Sequence, residues 1–217
     1  MVVCYARIAR VFEAEPNPSD VLEPWENARI ARFAKLGDRL RFATARRLAR
    51  QLASELTSTM PRNITVRQRC IHCGSEEHGK PFVMHPGGVL PLSIAHAGDR
   101  VLVAITRGAE VGADIEPIDE TRFDDQVLHH IESPCERGRT PCLAAAVTRL
   151  WVHKEAVLKC TGEGLMRSPR SFSIDFSCNP PEVMGLAGTF AVASLDVDHG
   201  YAAAVAVRGR ELRVELA

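Results

Sequence analysis

An α+β fold of two related lobes is predicted by a pattern that occurs twice along the chain. Each half offers a helical run, then strand-like segments, then a pair of apolar strands about a glycine turn. The 217 residues suffice for two lobes of about 100 residues each. A hydrophobic share of 46% and a charged share of 25% are ordinary for a globular protein. The expected division is 1–107 and 108–217, each lobe a helix on a small, mainly antiparallel sheet, with a cleft between them.

The elements follow in order. A first strand is expected at about 3–12, and "EAEPNPSD" reads as a loop. Asp38 can cap the run "RLRFATARRLARQLASEL", in which Leu40, Leu48, Leu52 and Leu56 recur near helical spacing. The arginines of residues 39–50 then read first as a solvated face. "NITVRQRC" is strand-like, "CGSEEHGKP" a polar turn, and "LPLSIAHAG" apolar. "VLVAIT-RGAE-VGADIE" reads as a hairpin. Segment 117–141, rich in charge and turn residues, is the expected connector. "PCLAAAVTRLWVHKEAVLKCTGEG" is a helix ending at glycine, "SFSIDFS" a strand, and "YAAAVAV-RGRE-LRVEL" a second hairpin.

Composition narrows the function classes. Net charge is zero, so no whole-molecule field points to nucleic acid or membrane. No run approaches the roughly 18 apolar residues of a membrane span, and the N-terminus has no signal-peptide pattern. Seven scattered cysteines suggest reduced thiols in a cytoplasm. Of the 27 basic residues only four are lysines, at 35, 80, 154 and 159. A chain that otherwise uses arginine can keep lysine where a compact ammonium on a flexible stem is needed.

The chemistry concentrates in two blocks. In "VGADIE", alternation puts Asp114 and Glu116 on one side of a strand and Ile115 on the other. Two neighbouring carboxylates repel unless water or a cation relieves them. In the second helix Glu155 and Lys159 are i, i+4 and share a face, with Trp151 one turn earlier. Taken singly, these read as a solvated strand end and an ordinary helix ion pair. Together, three carboxylates suit Mg²⁺, which prefers oxygen ligands and is commonly completed by substrate phosphates.

"VGADIE", followed about 35 residues later by "RLWVHKEAVLKCTGEGL", resembles the paired motifs of the 4′-phosphopantetheinyl transferase superfamily, (V/I)G(I/V)D(I/V)E and W-x-x-KEA-x-x-K-x-x-G-x-GL. "HGKP" at 78–81 and "LSIAHA" at 92–97 resemble two further blocks, in order. The length is similar to that of the two-lobed surfactin type, whose lobes are related by a pseudo-twofold axis, and for which a monomer suffices. The resemblance implies a Mg²⁺-dependent transfer of phosphopantetheine from coenzyme A to a serine of an apo acyl or peptidyl carrier protein, releasing 3′,5′-ADP. It further implies that Asp114, Glu116 and Glu155 hold the metal, and that Lys159 meets the pyrophosphate with Lys154 nearby. Lys80 and His96 would bind the nucleotide end, with Arg41, and Arg32 more loosely, adding charge. Glu155 is the implied acceptor of the serine proton, in competition with a metal-held water. Ala95 stands where the family usually has serine, and Ala113 where it has a branched residue. Arg122 with Phe123, or Leu165 to Arg167, are candidate carrier contacts.

Two rival readings follow from the residues alone. One is another Mg²⁺-dependent nucleotide phosphohydrolase built on the same acids. The other is a non-catalytic zinc-binding interaction protein, since Cys70-x₂-Cys73-x₄-His78 has the first three positions of a zinc-knuckle spacing. The fourth position falls at Val83, and the nearest substitute is His85.

Overall fold

The computed structural model describes residues 1–11, 22–122 and 124–217. "EAEPNPSD" and Phe123 lie outside them. The first half comprises β1 (Val2–Arg10), α1 (Pro24–Arg32), α2 (Leu36–Thr57), β2 (Thr65–Arg69), β3 (Lys80–His85), β4 (Gly88–Ala97) and β5 (Arg100–Thr106). The second comprises β6 (Val111–Pro117), α3 (Asp125–Ile131), α4 (Ala144–Thr161), β7 (Ser173–Asp175), β8 (Glu182–Met184), β9 (Phe190–Leu195), β10 (Tyr201–Arg208) and β11 (Leu212–Leu216). Among the described residues no helix is long and apolar enough to cross a membrane.

The strands form two sheets, ordered β11-β1-β5-β4-β3-β2 and β6-β10-β9-β8-β7. Setting β11 aside, both follow one path. A first strand pairs antiparallel with the last, and the intervening strands return by meander after a long helix. Leu48, Leu52 and Ala49 of α2 are buried on the first sheet with Ile64, Val83 and Ile105. Leu150, Val157 and Leu158 of α4 are buried on the second with Phe172, Val192 and Ala204. A third core joins the sheets and is rich in small residues, including Ala6, Ala95, Ala104, Ala113, Ala191 and Ala203. Short side chains let the two sheets approach closely. The α+β expectation is met.

Several local expectations are corrected. The two predicted hairpins are not hairpins, because in each the chain changes sheet at the glycine turn. β5 pairs with β1 and β4, whereas β6 pairs with β10. Likewise β10 stays in the second sheet, whereas β11 runs parallel to β1 in the first. Asp38 is not the cap of α2. Lys35 holds that position, and Asp38 lies in the first turn, 2.6 Å from Arg41. The connector contains α3, capped by Asp124 accepting from the Val127 amide. The arginine face of α2 is only partly solvated, because α1 covers it. Arg46 and Arg50 are 4% and 2% exposed, and Arg50 meets Glu26 of α1 at 2.8 Å.

Candidate active site

Glycine 112 sets the site. A Cβ there would lie 1.9 Å from the Ala156 carbonyl oxygen and 2.3 Å from the Cys160 nitrogen, so β6 rests directly on the backbone of α4. Two residues on, Asp114 therefore emerges beside the helix face bearing Glu155 and Lys159. On its free edge β6 faces β4, where the buried Ser93 hydroxyl accepts the Ala113 amide at 2.9 Å.

Asp114, Glu116, Glu155, Lys159 and His96 line one cavity of about 250 Å³ between the two halves. Ile94, Ala95, Trp151 and Leu165 complete its wall. Ile115 points the other way, into a larger cavity of about 990 Å³ on the opposite face of β6. In that larger cavity Arg10 and Arg100 both meet Asp198. The smaller cavity holds the unsatisfied acids and is the better candidate.

Its electrostatics are those of crowded carboxylates. Burial raises the Asp114 carboxyl above its ordinary value despite Lys159, whose ammonium is 2.6 Å away. Burial, and then the charge of Asp114, push Glu155 up to about 7. Glu116 is raised by burial and by Asp114, while Arg122 pulls it down through contacts of 2.7 and 3.2 Å. Asp114 Oδ2 and Glu155 Oε1 are buried without a hydrogen-bond partner among the described residues. Unsatisfied buried carboxylate oxygens suit a hard divalent cation such as Mg²⁺, so this donor set fits the ion. Among the described residues only Cys70, Cys73 and His78 bring three ligand atoms within 4.8 Å of one another, so the three acids are more widely spread.

Cations flank the acids. Desolvation at the cavity wall, and the neighbouring Arg41 and Lys159, hold the His96 imidazole below its ordinary value. Arg41 donates to the Gly98 carbonyl at 2.8 Å and to Asp38. Lys80 lies outside the cavity wall, its ammonium held by Glu110 and by the Cys160 carbonyl at 2.6 Å. Arg32 is exposed at the end of α1. Lys154 is the clear correction. It is fully buried, and its ammonium meets the carbonyls of Ile131, Pro169 and Phe172 at 2.8 Å and Glu136 at 2.6 Å. No donor is left for a phosphate, and the side chain ties α4 to the segments before and after it. The sequence reading missed Arg122 as a partner of Glu116, for which only its position six residues downstream was a signal.

The chain so described, two small sheets meeting at a cavity of acids, is similar in sequence to known proteins. Residues 110–206 match the family model described as the 4′-phosphopantetheinyl transferase superfamily. The resemblance drawn from the motif blocks is borne out over that stretch. The chain is 33% identical over 93 residues to the 4′-phosphopantetheinyl transferase AcpT of Salmonella typhimurium, covering 40% of this chain and 47% of that protein. It is 26% identical over 160 residues to slr0495 of Synechocystis, provisionally named a 4′-phosphopantetheinyl transferase, covering 69% of this chain and 61% of that one. The matches thus span about half to three-fifths of those relatives' lengths. A solved holo-[acyl-carrier-protein] synthase (AcpS) from Neisseria meningitidis is similar at 18% identity and a TM-score of 0.39, over 46% of this chain and 98% of that one.

Proposed function

We propose that this chain is a two-lobed 4′-phosphopantetheinyl transferase, with 1–107 and 108–217 as its lobes and β11 of the second returning to the sheet of the first. It moves phosphopantetheine from coenzyme A to a serine of an apo acyl or peptidyl carrier protein in the cytoplasm. The observation that carries the reading is the convergence of Asp114, Glu116, Glu155 and Lys159, all within the stretch matching the superfamily, with His96 of the first half on one inter-lobe cavity.

In this reading Asp114, Glu116 and Glu155 hold Mg²⁺. When bound, the ion neutralises charge on the diphosphate and aligns attack with departure. Lys159 reaches the same diphosphate from one turn along α4, Arg41 supplies charge toward the nucleotide end, and His96 offers it a neutral imidazole as hydrogen-bond donor. The carrier seryl oxygen forms a bond to the phosphorus that bears pantetheine. The bond from that phosphorus to the bridging oxygen breaks, and 3′,5′-ADP leaves. Glu155 accepts the seryl proton, from the wall of the cavity that the exposed Leu165 also lines. Leu165 and Met166, 62% and 75% exposed, offer the carrier a docking patch, whereas Arg122 is engaged with Glu116.

Incubation with coenzyme A, Mg²⁺ and a panel of apo-carriers, followed by intact mass, tests this. One carrier or more is expected to gain a single phosphopantetheine group. Release of phosphate or nucleotide with every carrier unmodified would replace the reading with that of a phosphohydrolase.

A further inference from the structure

Outside the acid cavity, the ten-residue loop between β2 and β3 carries a second constellation. Cys70, Cys73 and His78 bring their ligand atoms within 4.8 Å of one another, and Cys73 Sγ lies 3.4 Å from His78 Nε2. The backbone builds the turn that presents them. The Gly74 amide donates to the Cys70 carbonyl at 3.0 Å, and the Cys70 amide donates to the Ser75 carbonyl at 2.8 Å. The backbone amides of Cys73 and His72 also face the Cys70 thiol. Backbone N–H groups aimed at one sulfur, with a second sulfur and an imidazole beside it, match the needs of a borderline-soft tetrahedral cation.

We propose that Cys70, Cys73 and His78 bind a structural Zn²⁺ ion, leaving one coordination position on the solvent side. Binding forms two zinc–sulfur bonds and one zinc–nitrogen bond and releases the thiol protons to solvent. His85 is not the fourth ligand. It lies at the far end of β3, where its Nδ1 accepts the Gly87 amide at 3.2 Å.

The position of the loop gives the ion a task. Apart from Ile71, residues 70–79 are polar, cysteine or glycine, so burial alone holds the loop weakly. Ile71 packs at the end of α4, with its Cγ2 3.3 Å from where a side chain on Gly162 would begin. Two residues after His78, Lys80 reaches the Cys160 carbonyl of the other half. A metal tying position 70 to position 78 fixes the loop that carries Ile71 against α4 and leads directly into Lys80.

The test does not depend on the transferase reading. The full chain, freed of any histidine tag, is analysed for metal by mass spectrometry and then, after chelation, titrated with Co²⁺. About one zinc per chain and the visible bands of tetrahedral cobalt thiolate are expected, along with loss of zinc in Cys73→Ser and retention in Glu155→Gln. Should Cys73→Ser not fold, the cobalt spectrum of the unmutated protein decides. Absence of zinc together with a featureless cobalt spectrum would overturn the proposal. A Cys70–Cys73 disulfide in freshly purified protein, or zinc that persists in a folded Cys73→Ser, would do the same.

Discussion

Glu155 and His153, two residues apart on α4, titrate in opposite senses. Glu155 is pushed up to about 7, chiefly by burial, so the metal-free fold is favoured while it is protonated. Its stabilising contribution is complete below the ordinary value of 4.5 and is lost as pH rises toward 7. His153, fully buried with Nδ1 2.8 Å from the Arg149 carbonyl, is held down at about 4 by burial. Its contribution is complete above 6.5 and is lost as pH falls toward 4. In the metal-free protein the two slopes oppose each other between about 4.5 and 6.5. Glu155→Gln removes one of them, so its urea-unfolding free energy should rise from pH 5 to pH 7 more steeply than that of the unmutated protein. Parallel pH profiles would contradict the Glu155 assignment. Lys154 makes a different prediction. Lys154→Met strands the buried Glu136 carboxylate and should cost about 3–5 kcal/mol in urea unfolding, while the folded fraction keeps its coenzyme A affinity. A stable Lys154→Met that binds coenzyme A weakly would restore the earlier expectation. The sequence contained the correction: successive helical residues are rotated by about 100°, so Lys154 could not share the face of Glu155 and Lys159.

At the scale of elements, the site depends on how closely β6 lies on α4. Gly112→Ala must move backbone, because the methyl meets the Ala156 carbonyl and the Cys160 amide. The cost should be about 3 kcal/mol or more, read as a lower melting temperature, with transferase activity falling further as Asp114 parts from Glu155. Wild-type stability in Gly112→Ala would refute this packing. The short 3₁₀ turn Gly164–Met166 that follows α4 presents Leu165 and Met166 to solvent. Met166→Asp should raise the carrier KM several-fold with little change in coenzyme A affinity, and unchanged carrier kinetics would move docking elsewhere. Helix α4 was legible in the sequence because its apolar spacing and Gly162 end signal are local, and Gly162 does cap it in the left-handed conformation. The arginine face of α2 was misread for a non-local reason. Its cover comes from α1, where Glu23 and Glu26 reach Arg50, and Arg46 lies 5.3 Å over Trp25.

Across the whole molecule, the repeated order of helix and strands was readable, but the partner of each closing strand was not. "RGAE" and "RGRE" have lengths suited to hairpins. The chain instead crosses between sheets at both, because β1 and β4 already flank β5 while β6 and β9 flank β10. Pairing of that kind is decided by contacts far apart in sequence, which local turn chemistry cannot report. The first of these crossings takes the chain from β5 into β6, and so puts Asp114 and Glu116 on one cavity with His96. A cavity built from both halves should couple its ligands, since a cation and an anion bound side by side strengthen each other reciprocally. Calorimetry of coenzyme A binding with and without Mg²⁺ reads that coupling directly. Magnesium should tighten binding by about tenfold or more in the unmutated protein, and the gain should vanish in Asp114→Asn, which still binds weakly. Affinity indifferent to the ion, or an undiminished gain in folded Asp114→Asn, would contradict a shared site for metal and diphosphate.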